Sequence, residues 1–427
     1  MAVVPRVTHH NAGVPGPATI DQSRAATAWA TRRRRADALL LALVVVLTAV
    51  ITYLAAHAVF VQLNDLLRGD IKLHNEVVTG QADRSAAGYT IYYLLLSWVA
   101  GGSTSPEAVR VASETLLASA MAAKAVVTLL ITRVATRTLW PSLAVTAFLM
   151  VYVPVDLTLS PEMYFGRLMG SIWHNSTTVV LIPVSMLLFF VAVTFLVADA
   201  PGRAYWIAAP ALIVLDGLLK PNYLLALLPA LALLTGMVML RRRRTTRTWL
   251  STAPPVGRFL AMALPAAVLL VTQYVLAYQD GGVAYTNGIR PFATWSLLAS
   301  YVPGGIPVVL LETFLLPALV TVLLWRQARR SAYVLGAWLV AGIATAQFAI
   351  FAEFTASGAL LTHGNWSWGG DVAVYVLYTA VAILWVRHSA LLPLWARALV
   401  YVVAATYLAS GVIYLVHLVT PDGPGYH

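Results

Sequence analysis

The chain has 427 residues, of which 60% are hydrophobic and only 11% charged; a soluble fold of this length could not cover so much apolar surface. Its 28 Lys and Arg outnumber 17 Asp and Glu, for a net charge of +11, and it contains no cysteine, which excludes disulfides and thiolate metal sites. The basic residues gather at the ends of apolar runs: residues 32–35 and 241–244, Arg133 with Arg137, Arg326 with Arg329 and Arg330, and Arg387. That is the positive-inside pattern, reinforced by anionic headgroups, and it argues against a nucleic-acid partner. The composition predicts an all-α polytopic integral membrane protein with about eleven membrane-spanning or membrane-embedded helices.

Residues 1–36 are polar and basic and read as a disordered cytoplasmic region, residues 37–419 as the polytopic domain, and 420–427 as an external tail. The apolar run 38–60 reads as an uncleaved anchor running outward, because the basic stretch before it is too long for a signal peptide. The Lys/Arg bias then places segments 61–105, 158–175, 279–303 and 355–371 outside. Within the first of these, the run 89–102 is too short to cross and reads as a helix lying in the interface with its tyrosines at headgroup level. Spans follow at 106–134, 139–157 and 176–197. Residues 204–240 form two pieces broken at Asp216-Gly217 and Lys220-Pro221-Asn222, a pair expected to be broken or re-entrant with its tips meeting inside the membrane. After the basic loop 241–255 come spans at 259–278, 306–325, 332–354, 372–386 and 391–419. Inner loops are short and arginine-rich; outer segments hold the Asp, His, Glu, Asn, Trp and Tyr, so chemistry is expected on the outer face.

The leading candidate is Asp70, in RGDIKLHNEVV. On a helix Asp70 and His74 share a face, with Glu76 displaced around it, and a carboxylate beside an imidazole can take a proton from a hydroxyl. The three could also touch a divalent cation; no cofactor is otherwise indicated. A second cluster is Arg167, Trp173, His174 and Asn175, where Asn175 reads equally as a helix cap and Trp173 as an interfacial belt residue. A third is His363, Asn365, Trp366, Trp368 and Asp371, able to donate to a phosphate, stack on a sugar and bond its hydroxyls, or simply to anchor an interfacial loop. Arg290 can grip two phosphate oxygens. Lys124, Asp216, Lys220, Glu312 and Glu353 are ionisable groups within apolar segments and therefore functional candidates. Asp216 and Lys220, four apart, read either as a pair or, for Lys220, as a contact to a lipid phosphate.

An acidic residue directly after the first helix, an interfacial helix before a returning span at Pro106, the Lys220-Pro221-Asn222 break and outer loops such as HGNWSWGGD together resemble the GT-C superfamily of polyprenyl-phosphate-sugar-dependent glycosyltransferases. The resemblance covers the layout of most of the chain and only short stretches of residues. Many members pair two acids in that first loop, whereas Ile71 follows Asp70 here, leaving any partner to Glu76 or Asp65. Members also commonly end in a soluble domain, so this chain resembles the membrane-only mannosyl- and arabinosyltransferases of actinobacteria. The resemblance implies an inverting glycosyltransferase in a bacterial plasma membrane, its N-terminus cytoplasmic. It would move a sugar from a polyprenyl phosphate donor to a lipid or cell-envelope glycan acceptor. Asp70 would be the base, and Lys220, Arg290 and His363 would hold the leaving phosphate. The competing readings are a transporter or flippase of lipid-linked sugar or small solute, which needs its charges at mid-membrane, and a glycan ligase or polymerase.

Overall fold

The computed structural model describes residues 17–66, 69–82, 90–157, 167–246, 253–279, 288–291, 305–354 and 365–420. The chain divides into two units, residues 1–48 and 49–427. The first contains the N-terminal part of α1 (Pro17–Asp65). Residues 17–36, expected to be disordered, are helical. The reason lies in ATIDQSRAATAWATRRRRADA, whose Ala and Arg are strong helix formers.

The second unit continues through α2 (Ile71–Thr79), α3 (Tyr92–Val99), α4 (Pro106–Thr136), α5 (Leu139–Val151), α6 (Ser176–Val197), α7 (Arg203–Leu219), α8 (Asn222–Thr246) and α9 (Ala253–Gln279). Then come β1 (Gly288–Pro291), α10 (Gly305–Leu323), the single turn α11 (Trp325–Ala328), α12 (Ala332–Ile350), β2 (Phe351–Phe354), α13 (Asn365–His388) and α14 (Leu394–Val419). Among the described residues, eight helices are long and apolar enough to cross a membrane, and α5 and α10 are shorter apolar helices. The protein is an all-α polytopic membrane protein, with one antiparallel ribbon pairing Arg290 with Ala352.

Burial sorts the helices. The apolar stretches of α6 and α13 are 72% and 83% buried, against 22% in α9 and 28% in α14. The first pair therefore forms the centre, and the second presents Leu264, Val268, Val402 and Ile413 outward, the side a bilayer would cover. Helix starts are capped as their sequences dictate. Ser105 accepts from Ala108 N with Pro106 at the first position, Asn175 accepts from Thr178 N, and Ser331 accepts from Val334 N.

Three boundaries differ from the sequence reading, each for a local reason. The span expected over 139–157 ends as helix at Val151 and continues extended, because Pro154 disfavours helix at the residue before it. The freed carbonyls are taken up by protein: Ser171 Oγ donates to Met150 O and Ser410 Oγ to Pro154 O, as unwound backbone in an apolar setting requires. The span expected over 332–354 turns into β2 after Ile350. In the other direction, α13 starts at Asn365, so NWSWGGD opens a helix instead of belonging to the loop 355–371. Gly369 and Gly370 mark tight packing there: a Cβ on Gly369 would sit 2.6 Å from Asn222 O.

The interrupted pair at 204–240 is a helical hairpin. Lys220 is extended (φ −165, ψ 117) between α7 and α8, as a residue preceding proline should be. At 17 residues, α7 is about 26 Å long and is not among the eight helices long and apolar enough to cross a membrane, whereas Asn222–Arg244 of α8 is. Helix α3 is the short helix expected within 89–102, with Tyr92 and Leu96 buried and Trp98 exposed. Its entry is pinned to the hairpin: Ile91 N donates to Leu218 O and Thr90 Oγ1 to Leu219 O.

Candidate functional site: the Asp70 carboxylate and its cradle

At one end of the bundle, the starts of α2, α3, α6 and α13, the α7–α8 corner and the far end of α14 converge. Asp70 sits at the start of α2 and receives four donors. His74 Nε2 lies 3.1 Å from Oδ2 and Asn175 Nδ2 donates to Oδ2 at 2.7 Å. Ser176 gives both its backbone N–H and its hydroxyl to Oδ1, each at 2.8 Å. Burial alone would push this carboxyl up; the charge and hydrogen bond of His74 and the two bonds from Ser176 outweigh it and hold the pKa at about 2. The Ser176 N–H belongs to the first turn of α6, so the positive end of that helix acts in the same direction. Asp70 is ionised at any physiological pH, yet 22% of its side chain is still exposed.

The backbone that makes this possible depends on Gly69. It adopts φ +72, and a Cβ there would fall 2.5 Å from His174 O, the same oxygen that accepts the Asp70 N–H at 3.1 Å. Only glycine combines that dihedral with that approach. His74 is fixed on its other side by Tyr93, Nδ1 to hydroxyl 2.8 Å, and packs edge-on against Tyr92.

Beneath the carboxylate lies Lys220. Its ammonium donates to Asn175 Oδ1 at 3.2 Å, Thr177 Oγ1 at 2.9 Å and Thr178 Oγ1 at 3.1 Å, and sits 4.9 Å from the ring centre of Trp368, within cation–π range. Burial lowers its pKa to about 8, opposed by the charges of Asp70 and Asp371. Asn175 thus does three tasks at once, capping α6, donating to Asp70 and accepting from Lys220. His174 is buried, its Nδ1 2.8 Å from Tyr414 Oη, and burial drives its pKa down to about 4 against the pull of Asp70, so it is neutral at pH 7. Asp371 accepts from Met169 N at 2.6 Å.

Of the residues singled out from the sequence, Asp70, His74, His174, Asn175 and Lys220 meet in this cradle, and Asp371 stands within electrostatic reach of Lys220. The others are elsewhere or undescribed. Glu76 turns to Lys72, 3.8 Å away, and among the described residues no group of three or more His, Asp or Glu is arranged to hold a metal ion. Arg167 is fully buried in an ion triad, its Nε 2.8 Å from Glu312 and its Nη2 2.5 Å from Asp156, which ties the segment before α6 to α10. Arg290 is placed by its backbone in β1. Asn365 and Trp366 begin α13, with side chains outside the described set, and His363 lies outside the described residues altogether. Asp216 and Lys220 do not pair: Ser185 Oγ donates to Asp216 instead. Lys124 is buried between Ser171 and the face of Tyr375, 4.2 Å from the ring centre.

The sequence reading missed Tyr93, Ser176, Thr177, Thr178 and Tyr414 as parts of the site, and it named Trp368 without placing it beside Lys220. The run Ser176-Thr177-Thr178 directly after Asn175 carried a usable signal, being three consecutive hydroxyls at the start of an otherwise apolar helix. No protein-family model matches the chain, and no curated protein matches it in sequence.

Proposed function

We propose that the protein is a membrane glycosyltransferase of the GT-C type that moves a sugar from a polyprenyl phosphate donor to a hydroxyl of a lipid or cell-envelope glycan, with inversion. The reading places the N-terminus in the cytoplasm and the Asp70 end at the outer face of a bacterial plasma membrane. The observation that carries it is the juxtaposition of an oriented, ionised and partly exposed Asp70 with the Lys220 ammonium, joined through one side chain, Asn175.

In this mechanism the acceptor hydroxyl takes the place of one of the exchangeable donors on Asp70, His74 or the Ser176 hydroxyl. Asp70 removes its proton as the oxygen bonds the anomeric carbon; the bond from that carbon to the phosphate oxygen breaks, and its electron pair leaves with the lipid phosphate. A carboxylate of low pKa is a weak base, so its proton transfer comes late, once the attacking oxygen has acquired oxonium character. Lys220 stabilises the negative charge on the departing phosphate, the kind of electrostatic term that commonly contributes most.

The test is release of polyprenyl phosphate from a panel of polyprenyl-phosphate sugars by the purified, reconstituted protein. Wild type should turn over at least one donor, and Asp70→Asn should lower that rate by about 100-fold or more, the contribution expected of a general base. An Asp70→Asn protein as fast as wild type, or a wild type inert toward the whole panel, refutes the proposal. A second reading, transport of a lipid-linked or small solute, is favoured by one observation: Asp216 is fully buried in α7 and its Oδ1 takes no hydrogen bond among the described residues. Solute uptake by proteoliposomes that is lost in Asp216→Asn and kept in Asp70→Asn would select it.

A further inference from the structure

A cavity of about 1530 Å³ opens at the opposite end of the bundle from Asp70. That exceeds the usual range for small-molecule pockets, and its lining has two distinct parts. The mouth is cationic: Arg137 at the end of α4, Arg241 and Arg242 near the end of α8, Arg326 within α11 and Arg330 just after it, and Arg387 in the last turn of α13. Among the described residues the lining includes no Asp or Glu, and of its arginines Arg242 pairs with Asp199, 3.2 Å away, outside the lining. The walls are apolar, with Leu130, Val134, Leu187, Phe190 and Leu384 among them. From Arg137 back to Leu130, and from Val197 back to Leu187, the lining follows helices for about 10 to 15 Å at 1.5 Å per residue. That is close to half of a bilayer's hydrocarbon thickness.

Arginines at helix C-termini have an ordinary explanation in the helix dipole and in membrane orientation. Neither accounts for the apolar-walled cavity that they border. Arg137 adds a second observation. It closes α4 at φ 59, in the left-handed region, and is the one non-glycine residue at positive φ among those described. Glycine or asparagine is the usual occupant of such a position, so the chain holds a guanidinium at the cavity mouth at a cost in backbone energy.

We propose that this cavity is a binding site for an anionic phospholipid of the surrounding leaflet. The phosphate sits among the guanidiniums, which can grip its oxygens in pairs, and an acyl chain runs down the apolar walls. The charge on the mouth selects the anionic headgroup and the walls select the lipid over a free anion. The site is independent of the chemistry at Asp70.

Native mass spectrometry of the protein exchanged into equal amounts of dioleoylphosphatidylglycerol and dioleoylphosphatidylcholine tests this directly. Phosphatidylglycerol should be retained preferentially. The triple variant Arg137→Gln, Arg330→Gln, Arg387→Gln should retain it roughly 100-fold less, from three lost cation contacts at the membrane surface. A charge-matched control at exposed arginines outside the cavity, Arg203→Gln, Arg244→Gln, Arg329→Gln, should keep it. Arg137→Gly removes one charge while relieving the strained dihedral, so it should lower retention with an unchanged or higher melting temperature, a result that loss of folding cannot imitate. Equal retention of the two lipids, equal loss in both triple variants, or displacement of the lipid by excess inorganic phosphate would each overturn the proposal.

Discussion

Lys220 gives the sharpest test of the cradle, because its charge is set within a few ångströms of the groups the proposed chemistry uses. Its ammonium is surrounded by three neutral oxygens and the face of Trp368, with no carboxylate in direct contact among the described residues. Burial brings its pKa from the ordinary lysine value to about 8. The free protein therefore carries the charge on about nine-tenths of molecules at pH 7 and on about one-tenth at pH 9, as a single titration with that midpoint requires. A phosphate monoester has its second pKa at about 6, so between pH 7 and 10 the ligand is almost wholly doubly ionised while Lys220 loses its charge. Affinity for undecaprenyl phosphate, measured by titration calorimetry in nanodiscs, should fall about tenfold from pH 7 to pH 9. The sign follows from the lowered pKa: binding is strongest below pH 8 and is lost as pH rises through it. Lys220→Arg stays cationic throughout and should flatten the profile, while Lys220→Met should bind weakly at every pH. A wild-type affinity that is level from pH 7 to pH 9, or a Lys220→Met protein that binds as tightly as wild type at pH 7, refutes the assignment of Lys220 to the phosphate.

The remaining expectations concern the supports of the site and its side of the membrane. Gly69→Ala forces a Cβ against His174 O at positive φ and should destabilise the detergent-solubilised protein by about 1–3 kcal/mol, with transfer lost in greater proportion because Asp70 moves; an unchanged melting temperature would contradict the geometry. Arg167→Met leaves Asp156 and Glu312 buried without this cation and should cost about 3–5 kcal/mol, read as loss of the wild-type elution peak on size exclusion. The chain has no cysteine, so a single Thr104→Cys substitution can report orientation without background. It should react with a membrane-impermeant maleimide in intact cells, and Arg244→Cys only after permeabilisation. The reverse pattern would invert the topology and remove the transfer reading with it.

The spans were legible because a bilayer imposes one rule along the whole chain: about 20 apolar residues bounded by charge. The same rule hid the interruptions. Pro154 and the Phe351–Phe354 strand sit inside apolar runs that hydropathy alone joins to their helices, and Gly369-Gly370 looks like a turn until packing against Asn222 explains it. At the site, the Asp70–His74 contact could be read from a spacing of four, and the cap at Asn175 from its place before an apolar run. The pairing of Lys220 could not. Four-residue spacing pointed to Asp216, but Pro221 holds Lys220 extended, outside α7, and turns its ammonium to the hydroxyls of α6.

That turn is what makes one site of three separate segments. Had Lys220 continued α7, it would share a helical face with Asp216, and the two would offset one another within the bundle. Extended, it reaches Asn175, the residue that also holds Asp70, so the anionic and cationic groups are tied through a single amide at fixed separation without touching. A directly paired carboxylate and ammonium would offer a substrate little net field. Kept apart by Asn175, each retains its charge, which under the proposed transfer leaves the carboxylate for the acceptor hydroxyl and the ammonium for the donor phosphate. Asn175→Asp should therefore damage the site more than Asn175→Ser. The aspartate places a second negative charge against Asp70 and captures Lys220 in an ion pair, whereas serine keeps a cap for α6. Undecaprenyl phosphate affinity should fall further in Asn175→Asp than in Asn175→Ser at equal melting temperature, and the opposite order would mean that Asn175 serves only as a cap.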